Sequence, residues 1–224
     1  MRAVFQPFAV FLSLAALGAH AMDVGKSFSE LCMQNGFQSE QYQVKTSDDY
    51  ILTLYRIPGY FTEMQHARTE PKPAVLMLHG LDGNFMEYVM NDADKANAFI
   101  LSSQGYDVWL GNNRGTNFSQ GHVTLSPMNA DYWDYWQGDL GLKDVPAFID
   151  HILSETGLPN LSYIGHSQGT TQFILGASLN PTYFKEKVNV FIALAPVAST
   201  ANIKQKELVD LANRINLIVD ILVH

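Results

Sequence analysis

A serine between two glycines is the feature of the sequence that most directly suggests chemistry. Gly165-His166-Ser167-Gln168-Gly169 fits the pattern G-x-S-x-G, in which a tight turn between a strand and a helix lifts a serine above a sheet. Glycines two residues before and after the serine avoid clashes between that strand and that helix. We predict that Ser167 is a nucleophile and that Gly165, His166 and Gly169 form its turn, although the same pattern also occurs in ordinary glycine-rich turns.

A serine that attacks a carbonyl carbon also needs donors for the oxyanion that forms. The N–H group after the serine belongs to Gln168, close to a helix N-terminus, where negative charge is favoured. A second donor comes from the loop after an earlier strand, and His79-Gly80-Leu81 lies at that place. We therefore assign the oxyanion hole to the backbone N–H groups of Leu81 and Gln168. We expect His79 to shape its loop and His166 to point away from the reacting face.

The elements that must position these residues follow an alternating pattern. Strand-like apolar runs cover residues 42–44, 50–56, 73–78, 106–110, 161–164 and 188–194, and helical spacing covers residues 95–102, 140–153, 170–179 and 204–222. Strands that alternate with helices predict an α/β fold with a mostly parallel sheet. Ser47-Asp48-Asp49 is a turn between the first two runs and predicts an antiparallel hairpin at one edge. In such sheets the chemistry lies beyond the carboxyl ends of the strands.

Several motifs together resemble one family, the acid lipases, which include the gastric and lysosomal lipases and their insect relatives. The matching stretches lie between about residue 38 and residue 199 and are Tyr50-Ile51-Leu52-Thr53-Leu54-Tyr55-Arg56-Ile57-Pro58, Leu78-His79-Gly80-Leu81, Gly105-Tyr106-Asp107-Val108-Trp109-Leu110-Gly111-Asn112, Asn113-Arg114-Gly115, Gly165-His166-Ser167-Gln168-Gly169-Thr170-Thr171 and Ala193-Leu194-Ala195-Pro196-Val197-Ala198. The resemblance implies an α/β-hydrolase fold, truncated after about the sixth strand. It also implies hydrolysis of neutral-lipid esters, either triacylglycerols or sterol esters, at a lipid interface.

The other two residues of a serine-hydrolase triad are not recognisable. The mechanism needs a histidine base and an acid, and α/β-hydrolases carry the acid and then the histidine after the serine. The only histidine after Ser167 is His224, and the acidic residues there are Glu186, Glu207, Asp210 and Asp220. We expect the chain as given to be a fragment or an inactive form. Three hypotheses stay open: a lipase seen as its N-terminal part, a non-catalytic lipid-binding short form, and a serine esterase that acts on soluble esters.

Composition and charge narrow the remaining functions. The net charge is −8, from 14 basic and 22 acidic residues, which argues against nucleic acid as a partner. Cys32 is the one cysteine, so neither an intrachain disulfide nor a cysteine-cluster zinc site is expected. Gly111–Gly115 lacks the pattern of a phosphate-binding loop. We expect neither a metal nor an organic cofactor.

The N-terminus has the features of a signal peptide. Arg2 is followed by an apolar run, Phe8–Leu17, and Ala19-His20-Ala21 provides a cleavage site. We predict a signal peptide over residues 1–21, the N-terminal part of a hydrolase core over 22–199, and the start of a lid over 200–224. The run is too short for a transmembrane segment. We expect a secreted protein, extracellular or in a gut lumen, with the lysosome as the alternative.

Two triplets of the sequence could be glycosylated in a secreted protein. Asn117-Phe118-Ser119 and Asn160-Leu161-Ser162 are candidate glycosylation sites, and the first lies in a loop expected near the active-site face.

Four aromatic residues occur close together in the sequence: Tyr132, Trp133, Tyr135 and Trp136. They either contact a lipid interface or pack in the core and at the start of a helix, and we favour packing.

Overall fold

A computed structural model of the chain describes residues 25–65 and 71–199. The strands are β1 (Glu40–Lys45), β2 (Tyr50–Ile57), β3 (Ala74–Leu78), β4 (Asp107–Gly111), β5 (Gly121–His122), β6 (Leu161–His166) and β7 (Val188–Leu194). The helices are α1 (Phe28–Gln34), α2 (Asn97–Ser103), α3 (Val145–Thr156), α4 (Gln168–Leu179) and α5 (Pro181–Lys187). Short 3₁₀ turns cover Phe61–Gln65, Phe85–Tyr88 and Ala130–Trp133, and a helical turn, Gln137–Asp139, and a π-helical turn, Leu140–Asp144, lead into α3.

The strands form one mixed sheet in the order β1-β2-β4-β3-β6-β7, and β5 pairs with β2. The pairs β1–β2, β2–β4 and β2–β5 are antiparallel, whereas β4, β3, β6 and β7 run parallel to one another. The predicted α/β fold, with an antiparallel N-terminal hairpin on a mostly parallel sheet, is confirmed. The chain places β4 on one side of β3 and β6 on the other, and such a reversal leaves a crevice beyond the carboxyl ends of the strands.

Alternating side chains make both faces of the sheet apolar. In β3, Val75 and Met77 belong to one buried cluster, and Leu76 and Leu78 belong to the other. Residues of α1 and α2 contribute to the first cluster, and residues of α3 and α5 contribute to the second. Both faces of a parallel strand are covered in this architecture, which is why the run 73–78 is continuously apolar rather than alternating.

The structure also has elements that the apolar pattern did not predict. They are the seven-residue helix α1, the two-residue strand β5 and the helix α5, which begins at Pro181 directly after the predicted end of α4. Strand β7 ends the sheet in the described part of the chain, and Val190, Ile192 and Leu194 are 47%, 44% and 36% exposed. The described part of the sheet therefore ends in an exposed apolar strand. The predicted signal peptide and the helix predicted at 204–222 lie outside the described residues.

Candidate active site

Ser167 lies in a sharp turn between His166, the last residue of β6, and Gln168, the first residue of α4. Its φ of 48° and ψ of −110° are rare for a residue other than glycine and cost about 1–3 kcal/mol. Its N–H group donates to the Leu194 carbonyl (2.9 Å), and its own carbonyl accepts from the N–H (3.0 Å) and the hydroxyl (2.6 Å) of Thr170. These bonds hold the strained turn, which has the strand–turn–helix context that G-x-S-x-G requires.

The glycines on either side of Ser167 lie where two backbone segments approach closely. A methyl group at Gly165 would be 2.6 Å from the carbonyl carbon of Gly169. A methyl group at Gly169 would overlap the carbonyl oxygen of Leu78, at the end of β3. The pattern therefore has a steric cause, because a side chain at either glycine would force α4 away from the sheet.

Gly169→Ala is expected to lower the free energy of unfolding by about 1–3 kcal/mol, because a methyl group inserted into a packed region displaces its neighbours. Ser178→Ala is the matched control, since it changes an exposed residue on the same helix and is expected to stay within about 0.5 kcal/mol. Urea unfolding followed by circular dichroism measures both. Equal midpoints for Gly169→Ala and the unmodified protein would show that α4 is not tightly packed against β3.

Buried side chains hold the loop after β3, which carries the predicted oxyanion donor Leu81. The hydroxyl of Tyr88 donates to the Leu78 carbonyl (2.8 Å). Nδ1 of His79 donates to the Gly80 carbonyl (2.8 Å), and Nε2 accepts from the Asn113 N–H (3.2 Å). Burial lowers the pKa of the His79 imidazole, which favours the neutral form that these two bonds need. His79 shapes this loop, as the sequence analysis expects.

The loop after β3 and the turn at Ser167 meet beside a cavity of about 480 Å³. A methyl group at Gly80 would lie 3.3 Å from Cβ of Ser167, so the two segments are close. Leu81 and Gln168 both line the cavity. In the described chain the Leu81 N–H donates to no acceptor, and the first N–H groups of a helix, Gln168 included, have no partner within the helix. The structure therefore brings the two predicted donors to one cavity near Ser167.

The aromatic group divides between the core and the cavity. Tyr132 is fully buried and Tyr135 is half-buried, so the packing interpretation is right for them. Trp133 and Trp136 are 46% and 61% exposed and line the cavity, so packing in the core is wrong for these two residues. Trp136 does lie at a helix start, directly before the turn Gln137–Asp139.

Glu87 is a residue of this site that the sequence analysis missed. Its carboxylate accepts from the Gly80 N–H (3.1 and 3.2 Å) and contacts Nδ1 of His166 at 2.9 Å. His166 thus contacts the 3₁₀ turn after the loop of β3. No local motif marks Glu87, because its partners lie 7 and 79 residues away along the chain.

A buried ion-pair network positions the loop after β4. Arg114 donates to Asp144 through Nε (2.8 Å) and Nη2 (2.6 Å), and both side chains are fully buried. Arg114 also pairs with Asp48 (2.8 Å), and its guanidinium lies 3.9 Å from the centre of the Tyr50 ring. Burial by itself would raise the pKa of Asp48, but hydrogen bonds from Arg114, Thr46 and Lys143 hold it below its ordinary value.

The two candidate glycosylation sites differ in exposure. Asn117 is exposed and lines the cavity, and Ser119 of its triplet is buried, with its hydroxyl accepting from the Thr53 N–H (2.8 Å). Asn160 is half-buried, and its amide oxygen accepts from Asn189 (3.0 Å). Glycosylation at both positions stays a prediction.

The candidate triad partners are not brought to Ser167 in the described chain. Glu186 is exposed on α5. His224, Glu207, Asp210 and Asp220 lie outside the described residues. None of the histidines within residues 25–65 and 71–199 is hydrogen-bonded to the Ser167 hydroxyl.

The described residues contain neither a metal site nor a membrane span. No group of three or more His, Cys, Asp or Glu in this part of the chain is arranged to hold a metal ion. None of its helices has the length and apolarity needed to cross a membrane. Cys32 is buried, and burial raises the pKa of its thiol to about 12, so this thiol is unreactive.

Comparison with known proteins gives the same fold and a more specific relationship. Residues 73–216 match the family described as "alpha/beta hydrolase fold", and residues 28–92 match a "partial alpha/beta-hydrolase lipase region". A solved structure of a putative lipase from Sulfolobus solfataricus matches with a TM-score of 0.53 at 16% identity. The matched region is 75% of this chain and 48% of the Sulfolobus chain. At that identity the likeness shows the fold alone.

The similar curated proteins are lipases. The chain is 40% identical over 179 residues to the lysosomal acid lipase/cholesteryl ester hydrolase of Homo sapiens. The aligned region is 80% of this chain and 44% of that protein. It is 39% identical over 177 residues to the gastric triacylglycerol lipase of Bos taurus, with 79% and 44% covered. It is 39% identical over 195 residues to lipase member K of Homo sapiens, with 86% and 48% covered. The chain spans about half the length of the curated relatives it matches. With its sheet, its serine turn and these relatives, the chain belongs to the α/β-hydrolase fold family, as a member of the acid-lipase group.

Proposed function

We propose that the protein hydrolyses carboxylic esters of neutral lipids, with Ser167 as the nucleophile. The observation that carries the proposal is the strained turn at Ser167 beside a cavity lined by Leu81 and Gln168. Strained backbone of this kind persists only where surrounding bonds hold it, and it is typical of active sites. A serine in an ordinary glycine-rich turn would not need positive φ or two nearby N–H donors.

The proposed reaction has two stages. Oγ of Ser167 attacks the ester carbonyl carbon, its proton passes to a base, and the carbonyl oxygen becomes an oxyanion that the Leu81 and Gln168 N–H groups stabilise. The carbon–oxygen bond to the alcohol then breaks, and the alcohol leaves with that proton. Water hydrolyses the acyl-serine to give the fatty acid and free Ser167. The base and its orienting acid follow the serine in this fold, so we place both beyond residue 199.

The substrate class comes from the relatives. One is called a triacylglycerol lipase, and another is called an acid lipase and cholesteryl ester hydrolase. We infer that this protein acts on triacylglycerols or sterol esters. The names also include a lysosomal and a gastric protein, and the predicted signal peptide suits either destination. We therefore propose that the protein enters the secretory pathway.

The test compares emulsified and soluble esters. A purified form of the protein that includes the base and the acid is given emulsified triolein, cholesteryl oleate in vesicles, and dissolved p-nitrophenyl butyrate, and fatty acid or p-nitrophenol release is measured. We expect release from at least one emulsified substrate. Hydrolysis of the soluble ester alone would favour the esterase hypothesis instead. Vesicle binding without any hydrolysis would favour the lipid-binding short form.

Trp133 and Trp136 provide a test of contact with the lipid surface. Indole rings favour the boundary between water and lipid, and both rings are exposed beside the cavity. The double variant Trp133→Ala/Trp136→Ala is expected to lower the rate on emulsified triolein by about tenfold, because about 1.4 kcal/mol of interfacial binding corresponds to that factor. The rate on dissolved p-nitrophenyl butyrate should stay within about twofold, since that ester needs no surface.

Met33→Ala is the matched control for the tryptophan variant. Met33 is 63% exposed on α1 and does not line the cavity. Its replacement should leave both rates unchanged. Equal losses on the emulsion and on the soluble ester would mean that the two tryptophans shape the cavity rather than contact the lipid.

A further inference from the structure

We propose that Glu87 and His166 are positioning residues, which together clamp the loop after β3 onto the turn that carries Ser167. The inference rests on the proposed function, because it concerns the same oxyanion hole. The clamp consists of one carboxylate that bonds to both segments. Neither residue is assigned a direct contact with the substrate.

The first half of the clamp fixes the loop. Both carboxylate oxygens of Glu87 accept from the Gly80 N–H, at 3.1 and 3.2 Å. The Gly80 carbonyl accepts from His79 Nδ1 (2.8 Å) and from the Gly83 N–H (3.1 Å). Both ends of Gly80 are therefore held by hydrogen bonds.

Holding Gly80 also orients the proposed oxyanion donor. The Gly80 carbonyl and the Leu81 N–H belong to the same peptide unit, which is planar and rigid. A rotation of that unit would therefore turn the Leu81 N–H away from the cavity and break the bonds to the Gly80 carbonyl. Hydrogen bonds to an oxyanion act only when the donor already points at the place where charge develops.

The second half of the clamp reaches the serine turn. Nδ1 of His166 lies 2.9 Å from Oε2 of Glu87, the carboxylate that also bonds to Gly80. Since a carboxylate only accepts hydrogen bonds, Nδ1 is the donor. His166 directly precedes Ser167 in the chain. A methyl group at Gly80 would be 3.1 Å from His166 Nδ1, so the loop and the imidazole are already in close contact. The distance between the Leu81 N–H and Ser167 therefore depends on a bond that spans the two segments.

Both side chains of the clamp are partly exposed, at 43% for His166 and 27% for Glu87. A partly exposed hydrogen-bonded pair contributes little to global stability. We therefore expect its removal to change the geometry of the site much more than the stability of the fold. This difference separates a positioning role from a structural one.

The experiment uses the whole protein and four variants, which are Glu87→Ala, Glu87→Gln, His166→Phe and the double variant Glu87→Ala/His166→Phe. Glu87→Ala removes both halves of the clamp. Glu87→Gln keeps an oxygen for the Gly80 N–H but loses the carboxylate that faces the imidazole. His166→Phe keeps a ring and loses the donor. Glu155→Gln is the matched control, because Glu155 is exposed on α3.

The first measurement is backbone amide exchange by NMR, which needs no catalysis. We expect the Gly80 amide to exchange about tenfold faster in Glu87→Ala, consistent with the loss of local protection, while the β3 amides exchange as before. Glu155→Gln should change neither exchange rate. Unchanged exchange at Gly80 in Glu87→Ala would overturn the clamp, whether or not the protein is a hydrolase.

The second measurement is the rate on dissolved p-nitrophenyl butyrate. We expect kcat to fall about tenfold or more in Glu87→Ala with KM within about twofold, because misplaced donors weaken the transition state rather than substrate binding. In Glu87→Gln and His166→Phe, kcat should fall by similar factors that are smaller than the factor in Glu87→Ala. The double variant Glu87→Ala/His166→Phe should have the same kcat as Glu87→Ala alone, because both changes break the same contact. Full kcat in Glu87→Ala would overturn the positioning role. If the unmodified protein shows no hydrolysis that depends on Ser167, the proposed function fails, and amide exchange alone decides the clamp.

Discussion

Ser167→Ala is expected to abolish ester hydrolysis, with a loss of about 10³-fold or more in kcat, as for other serine hydrolases that lose the nucleophile. Without Oγ no acyl-enzyme forms, and the N–H groups of Leu81 and Gln168 have only a water-driven reaction to stabilise. The same variant should lose all covalent labelling by an alkyl fluorophosphonate, which is measured as a mass increase on the peptide that contains residue 167. Both readouts report on one atom.

The matched control is Ser178→Ala, which removes an exposed hydroxyl from the same helix. The Ser178 hydroxyl donates to the Ile174 carbonyl (2.7 Å) and has no contact with the cavity. Its variant should be labelled and should hydrolyse esters like the unmodified protein. Labelling that persists in Ser167→Ala would assign the nucleophile to another residue and would contradict the proposed function.

The serine turn could be predicted because its causes are local. Gly165 and Gly169 must lack side chains for reasons set by neighbouring segments that any strand–turn–helix unit of this kind brings together. The buried strands could be predicted for a similar reason. The run 73–78 is apolar on both faces because helices cover both sides of β3. A continuous apolar run can be recognised in the sequence without knowing which helices pack against it.

The contacts that couple separate segments could not be predicted in this way. Glu87 bonds to residues 7 and 79 positions away, and Arg114 bonds to residues 30 and 66 positions away. Glu87 lies in no motif, and the stretch Asn113-Arg114-Gly115 indicates only a family resemblance, because the contacts exist only once segments that are distant in sequence lie side by side. The sequence therefore does not show which residues Arg114 pairs with, and its complete burial is a property of the fold.

Helix α1 is a different case, since a local signal for it exists. The Ser27 hydroxyl accepts from the Glu30 N–H, and the Glu30 carboxylate accepts from the Ser27 N–H. This reciprocal pair of hydrogen bonds is a capping box, which the sequence pattern S-x-x-E predicts. The apolar stripe that follows has only Phe28, Leu31 and Cys32 buried. In seven residues that stripe is too short for periodicity to identify, so the cap was the informative feature.

Asp144→Ala is expected to cause the largest loss of stability among the proposed substitutions, about 3–5 kcal/mol, because it leaves a buried charge without its main partner. Arg114 and Asp144 are both fully buried, so the guanidinium cannot recover the lost bonds from water. Asp48 is the remaining carboxylate near Arg114, and its side chain is 26% exposed. Asp48→Ala should therefore cost less than Asp144→Ala. Urea unfolding at neutral pH measures each variant.

Two further variants separate the buried charge from simple loss of packing. Arg114→Met/Asp144→Leu removes both charges and keeps side-chain volume, and it should be more stable than Asp144→Ala, because replacing both partners avoids the unpaired ion. Lys45→Ala breaks the exposed pair Lys45–Asp49, whose side chains are 61% and 49% exposed, and should cost at most about 1 kcal/mol. If Asp144→Ala cost no more than Lys45→Ala, the network would not hold the loop after β4. Since Arg114 also lines the cavity beside Ser167, the ion pair that stabilises the fold also supports one wall of the proposed substrate site.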